Sequence, residues 1–407
     1  MAQAAIGAGE KRAVSRSTAK VGERYEVLDS WRGICALLVA LFHFPVQNGF
    51  SDSAFLRSSY LFVDFFFVLS GFVIANGYGK RLGDGKSAAR FVFVRFGRLY
   101  PLHIFMLGAF VGFELLRLAV PQLRNGGVAP FAGADNLASL VENIFLIHGL
   151  GFAHGLSWNS PSWSISTEFF AYMSFALVML AFGARAWLVL LAPVVLGPIV
   201  LLKFSPHYMD ATWDYGFVRC LYGFSLGVLL CWSQGKAIAG ERLRFARVEH
   251  DPAGRAAWTI TEVATLVALF AFVSRGGDGA MGIAAPFVFA FAINVFAHER
   301  GLVSDLLKQK PFLWLGALSY SIYLTHIFVQ SRMINAGGLF DRVFHISLIG
   351  PMRFHGDTVI GFASRNLAIG CAITAVMVCF TLMASWFTWR FIEMPSLARF
   401  RGVAKRL

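Results

Sequence analysis

Apolar stretches of about 20 residues recur from one end of the chain to the other, separated by short segments rich in Lys, Arg, Gly and Pro. Such a run, as a helix, is long enough to cross the hydrocarbon core of a bilayer. Ten are predicted as helices: 31–50, 60–78, 99–119, 161–182, 187–203, 215–232, 258–274, 280–297, 312–332 and 366–391. A weaker apolar run, 137–153, lies inside a long loop and reads as a re-entrant or interfacial element. No repeat of 20–50 residues stands out, so an inverted-repeat transporter is not indicated. The fold class expected is an all-α, polytopic transmembrane helix bundle of about ten spans.

Composition agrees with that pattern. The 407 residues are 57% hydrophobic and only 14% charged, with a mean hydropathy of +0.61, whereas soluble domains carry about 25% charge. The net charge of +13 does not point to nucleic acid, because the cations sit in short segments between spans and no basic soluble domain exists to hold a strand. It fits the positive-inside bias of membrane proteins. An even number of spans puts both ends on one side. The larger share of the 36 Lys and Arg lies on that side, so both termini are expected in the cytoplasm. Residues 1–24 read as a disordered basic cytoplasmic tail, 25–395 as one transmembrane domain, and 396–407 as a short basic cytoplasmic tail. The five cysteines all fall in or at the ends of apolar spans, so no disulfide framework is expected.

The first span carries the sharpest chemical signal. Arg32 and His43 are eleven positions apart, about three helical turns and a rise of roughly 16 Å, so both side chains share one face. Asp29 lies on the same face. One helix thus presents a cation at the cytoplasmic edge and an imidazole past mid-membrane, where ionisable groups are costly and usually functional. Placed by depth, the remaining polar residues form two layers. Arg95 and Arg98 lie near the cytoplasmic face with Arg32. His43, Asp64, Glu168 and His326, on four different spans, lie in the outer half. Arg219, inside the sixth span, is expected to pair with Asp214 or an outer carboxylate. Gly33 and Gly71 are expected at close helix contacts.

The segment "LDSWRGICALLVALFHF" (28–44), with its Arg32–His43 pair, resembles the opening helix of the acyltransferase 3 family of bacterial membrane O-acyltransferases. The likeness continues through "FVDFFFVLSGFVI" (62–74), "RFGRLYP" (95–101), "WNSPSWSISTEFFAY" (158–172), "LGALSYSIYLTHIF" (315–328) and "RFIEMP" (390–395). The resemblance implies transfer of an acyl group, often acetyl, from cytoplasmic acyl-CoA to a carbohydrate at the outer side of a bacterial inner membrane. It also implies the form without a fused extracytoplasmic hydrolase-like domain.

On that reading Arg32, Arg95 and Arg98 dock the phosphates of acyl-CoA, since guanidinium forks suit phosphate oxygens. His43 deprotonates the attacking hydroxyl, a task suited to an imidazole. Asp64 or Glu168 orients it, and the residues leave open which. His326 completes the outer set. Ser70, Ser166, Tyr320, Tyr323 and backbone N–H groups are candidate donors to the oxyanion. Lys80, Arg81, Lys86 and Arg90 read as positive-inside charges, Glu393 as structural, and Trp158 and Trp163 as interfacial or sugar-stacking. His148 and His154 lack metal-ligand spacing, so no metal is expected. A transporter or flippase for a glycan or lipid-linked intermediate is the competing reading. The sequence leaves open whether a separate periplasmic partner completes the transfer.

Overall fold

The computed structural model describes residues 25–79, 81–120, 123, 129–234, 252–277, 279–364 and 366–406. The segment 1–24 expected as a tail lies outside the described residues. Fourteen α-helices occur among the described residues: α1 (Glu26–Phe42), α2 (Ala54–Arg57), α3 (Phe62–Tyr78), α4 (Gly85–Ala119), α5 (Leu137–Ile144), α6 (Trp163–Phe182), α7 (Ala186–Phe204), α8 (Gly216–Gln234), α9 (Pro252–Gly276), α10 (Ala285–Phe296), α11 (Leu302–Leu307), α12 (Lys310–Phe344), α13 (Leu367–Thr388) and α14 (Met394–Ala404). Between α12 and α13 the strands β1 (Ile349–Phe354) and β2 (Asp357–Phe362) pair antiparallel.

Each predicted apolar run overlaps a helix. Seven helical stretches are long and apolar enough to cross a membrane; one of them, Ser160–Phe204, holds both α6 and α7. The protein is thus a multi-pass membrane helix bundle. Leu177, Leu196, Phe204, Val267 and Phe291 expose more than half of their surface, as expected of side chains facing lipid. Hydropathy misplaces several helix ends. Both α4 and α12 run for 35 residues, about 52 Å at 1.5 Å per residue, well beyond a core of about 30 Å. Arg95 and Arg98 therefore lie inside α4, not at its entry. In contrast α1 stops at Phe42, and His43 is its C-cap residue. The 137–153 stretch gives α5 followed by tight turns. Residues 394–404, largely assigned to a tail, form α14, which packs back on α4.

Two helix pairs set the frame. α1 lies along α12, and α3 along α8. Both contacts are made at backbone distance. A Cβ on Gly33 would stand 2.5 Å from the Leu315 carbonyl carbon, and one on Gly316 2.3 Å from the Asp29 carbonyl oxygen. On the other seam, a Cβ on Gly71 would stand 1.9 Å from the Phe224 oxygen, and one on Gly227 1.9 Å from the Val68 oxygen. Small residues let membrane helices approach this closely, and association there depends on packing and polar contacts because lipid supplies no hydrophobic drive. Buried Phe65, Phe72, Phe91, Phe175, Phe224 and Phe289 fill the space between the pairs.

The hairpin was not foreseen. It covers the end of α1: Gln47 N–H donates to the Phe362 carbonyl at 3.0 Å and Phe362 N–H to the Pro45 carbonyl at 2.9 Å. His355, at its turn, stacks on Phe42 with centroids 4.5 Å apart.

Gly71→Ala should destabilise the protein by about 1–3 kcal/mol, the usual cost of overpacking. Gly77→Ala, on the same helix with nothing within 4 Å of the added carbon, should be neutral or slightly stabilising. Thermal unfolding in detergent checks both; equal midpoints for the two variants would remove the α3–α8 contact as a determinant.

Candidate active site

A cavity of about 810 Å³, its mouth included, opens among α1, α3, α4, α6 and α12. Arg32, Arg95, Arg98 and Glu168 supply its charges, and Ser70, Ser164, Tyr172, Ser319, Tyr320 and Tyr323 its hydroxyls. The three arginines nominated from sequence therefore do converge. Their surroundings differ. Arg32 reaches no closer than 3.9 Å to Asp29, and its side chain is 33% exposed. Arg95 donates to the Tyr78 hydroxyl at 3.1 Å and lies over the rings of Tyr78, Phe91 and Tyr172. Arg98 is ion-paired with Glu393, which also accepts from Ser321 Oγ at 2.9 Å. Glu393 is buried, so this pair ties α4 to the end of α13 and matches a charge that would otherwise be costly.

Glu168 belongs to this cavity and makes no contact with His43. Its Oε1 accepts from Ser70 Oγ at 2.6 Å and from the Tyr172 hydroxyl at 2.5 Å. Tyr172 is one turn beyond Glu168 on the same helix, a spacing that brings side chains together and was the available signal for it. Asp64 is elsewhere again. Its two oxygens take Arg219 Nε at 2.9 Å and Nη2 at 2.8 Å, a forked pair with neither residue more than 1% exposed. Arg219 also donates to the Ala211 and Tyr60 carbonyls. Asp214, the other partner considered, accepts instead from Thr212 N–H.

His43 and His326 do meet. His326 Nε2 is 3.3 Å from His43 Nδ1, with ring centroids 5.1 Å apart. The hydrogen bonds fix the tautomers. His43 Nδ1 lies 2.9 Å from the Val39 carbonyl and His326 Nδ1 3.1 Å from the Ile322 carbonyl. A carbonyl only accepts, so each Nδ1 carries the proton. His326 Nε2 is then a lone pair that shares the His43 Nδ1 proton, and His43 Nε2 is left as a proton acceptor. His326 is fully buried and His43 half-buried. The equal spacing from Gly33 to His43 and from Gly316 to His326 shows α1 and α12 running parallel and in step.

Tyr323 stands between the cavity and this pair. It lines the cavity, and its ring centroid is 6.0 Å from that of His326. Its hydroxyl is 2.7 Å from Ser164 Oγ and donates to the Pro161 carbonyl at 3.0 Å. The other hydroxyls considered as oxyanion donors are engaged with protein acceptors: Ser70 with Glu168, Ser166 with the Leu146 carbonyl and Tyr320 with the Leu99 carbonyl. Trp158 and Trp163 are each 5% exposed and belong to the core. His148 is buried and stacks on His103, a partner the sequence did not suggest.

The family profile described as "Acyltransferase domain" matches residues 25–390. Among curated proteins, the chain is 36% identical over 175 residues to "Protein 2 in picA locus" of Rhizobium radiobacter, covering 40% of this chain and 85% of the relative. It is 34% identical over 163 residues to the acyltransferase MdmB of Streptomyces mycarofaciens (38% and 39% covered). It is 23% identical over 319 residues to the peptidoglycan O-acetyltransferase OatA of Listeria monocytogenes (74% and 48% covered). The matches thus span less than half the length of the last two relatives. No solved structure matches significantly. Over nearly its whole length, this chain belongs to the acyltransferase 3 family of membrane acyltransferases.

Proposed function

We propose that the protein is an inner-membrane O-acyltransferase that moves an acyl group, acetyl in the simplest case, from cytoplasmic acyl-CoA to a hydroxyl of a cell-surface, periplasmic or secreted carbohydrate. The observation that carries this reading is the His43–His326 contact, with Nδ1 of each ring on a backbone carbonyl, one helical turn from a cavity that holds three arginines. The names of two of these relatives, an acyltransferase and a peptidoglycan O-acetyltransferase, support it.

In this reading the phosphates of acyl-CoA sit toward Arg32 and Arg95, where no carboxylate takes the whole charge. The thioester arm extends past Glu168 toward Tyr323, and the Tyr323–Ser164 contact parts to admit it. The acceptor approaches His43 from the side covered by the hairpin. As the hydroxyl oxygen attacks the thioester carbon, its proton passes to His43 Nε2. The C–S bond breaks as the C–O bond is completed, and the thiolate takes up that proton as free CoA. The imidazolium formed in between is stabilised through its Nδ1 proton by the Val39 carbonyl and His326 Nε2. His326 is thus a positioning residue. Asp64 acts by holding Arg219 and so fixing α3 against α8; Glu168 acts by holding Ser70 and Tyr172 in the cavity wall. Ten spans with both termini cytoplasmic put the cavity arginines on the CoA side.

A transporter or flippase would also use buried charges, but would release no CoA.

His43→Ala should lower acyl transfer by about 10²–10⁴-fold while the protein remains folded, read as acceptor-dependent CoA release together with product mass; turnover like the wild type removes His43 from the chemistry. Arg95→Ala should raise KM for acyl-CoA with KM for the acceptor unchanged, and an unchanged donor KM refutes the docking role. Arg98→Ala is the poorer test, because it strands Glu393 in the interior. Tags at either terminus should resist external protease in spheroplasts; digestion of one overturns the orientation.

A further inference from the structure

The inner arginines are already partly satisfied by the protein, Arg98 by Glu393 and Arg95 by Tyr78 and three rings. Unmatched positive charge lies next door. A groove of about 1430 Å³, its mouth included, runs between the start of α4 and α14 and is lined by Arg81, Lys86, Arg90, Arg401 and Lys405, with Tyr78 and Phe91 at its inner end. Those two rings are two of the three under Arg95, so the groove adjoins the cavity. About 7.5 Å of helix separates Arg90 from Arg95. The acid in the groove, Asp84, is engaged as the N-cap of α4. Ser87 N–H donates to it at 2.7 Å, and this hydrogen bond first, then the Ser87 hydroxyl, holds its carboxyl below the usual range. None of the five cations is ion-paired to a carboxylate among the described residues.

This clustering is built by the fold. Lys86 and Arg90 are four apart on one helix, and so are Arg401 and Lys405 on another, spacings at which like charges repel. Phe400 brings the second pair opposite the first: its ring fills the space above Gly97, where an added Cβ would lie 2.1 Å away, and packs on Phe93 and Phe96. The positive-inside bias accounts for cations on this side of the membrane. It does not account for five of them converging on one groove that lies beside the cavity. An anion carrying several charges does.

We propose that this groove holds the phosphorylated nucleotide end of acyl-CoA, with the ribose 3′-phosphate among Arg90, Arg401 and Lys405 and the base toward Tyr78. The proposal rests on acyl-CoA being the donor. Phospholipid headgroups offer similar phosphate chemistry, but the wall shared with the cavity at Tyr78 and Phe91 favours the nucleotide.

The test uses the purified full chain in nanodiscs of neutral lipid and titrates adenosine 3′,5′-bisphosphate, comparing wild type with an Arg401→Ala/Lys405→Ala double variant. Wild type should bind, and the variant at least about tenfold more weakly, as loss of charge-assisted hydrogen bonds implies. In a second arm, wild type should use acetyl-CoA with a KM about tenfold below that of acetyl-3′-dephospho-CoA. The variant should lose that preference, its KM for acetyl-CoA rising to that for the dephospho form. Absent nucleotide binding, equal binding by the variant, or saturable binding of phosphatidylglycerol without the nucleotide overturns the groove. Acyl-CoA consumption with no preference for the 3′-phosphate sinks the groove and leaves the donor reading standing. Variant-sensitive nucleotide binding without CoA release from any acyl-CoA supports the groove and sinks the donor reading.

Discussion

The contact between α1 and α12 at Gly33 and Gly316 governs what the rest of the bundle can do. Backbone atoms of two helices meet there at distances that leave no room for a side chain. The helices run parallel and in step, so their dipoles are aligned and repel weakly. Packing has to hold them, and Gln330 Nε2, donating to the Ala40 carbonyl at 2.7 Å, adds a polar clamp near the other end. Because the step is equal on both helices, fixing Gly33 against Gly316 also fixes His43 against His326. A slip of one residue would turn a side chain by 100° and part the two rings. The same contact keeps Arg32 over the cavity mouth.

Charge inside the bundle falls into two populations. Asp64–Arg219 and Arg98–Glu393 are buried or nearly so and matched one to one, and removing either partner would leave an uncompensated charge. These pairs tie α3 to α8 and α4 to the end of α13. Arg32 and the five cations of the groove between α4 and α14 have far weaker partners in the protein. Matched charges are explained by architecture alone; converging unmatched ones are explained by what comes to sit on them. That distinction, more than residue type, separates the arginines that hold the molecule together from those left to bind.

Hydropathy made the membrane class and the approximate place of each helix legible, because lipid demands runs of apolar residues. The same signal fails where a helix runs on past its apolar stretch, as at 85–98 and 333–344. The Arg32–His43 spacing was legible because helical geometry alone puts both on one face. Partner choice was not. Asp64 and Arg219 are 155 positions apart and His43 and His326 283 apart, and nothing local marks which outer carboxylate stays free. Depth along a span grouped Asp64 and Glu168 with His43; rotation about the helix axis separates them. The hairpin escaped because its strands are six residues each, in a stretch that carries no apolar run. Arg401 and Lys405 read as tail because it is the packing of Phe400 that folds their segment back on α4.

A proton acceptor in a membrane enzyme faces a constraint that soluble sites escape. A carboxylate placed beside His43 would bring a permanent negative charge into a low-dielectric setting, and that charge would need its own cation. Asp64 illustrates the consequence, since its oxygens are given over to Arg219. A second imidazole avoids it. As proposed, two rings each carrying a single proton at Nδ1 add no charge of their own, and His326 Nε2 offers a lone pair to the His43 proton as positive charge develops. In the proposed reaction charge develops on the pair only while the hydroxyl is attacking, when it is stabilised by groups already in place. In the proposed reaction, stabilisation is therefore concentrated on the transition state and little is spent on the resting enzyme. The cost is a weaker orienting partner than a carboxylate, and the rigid α1–α12 seam, which holds the two rings in register, compensates for it.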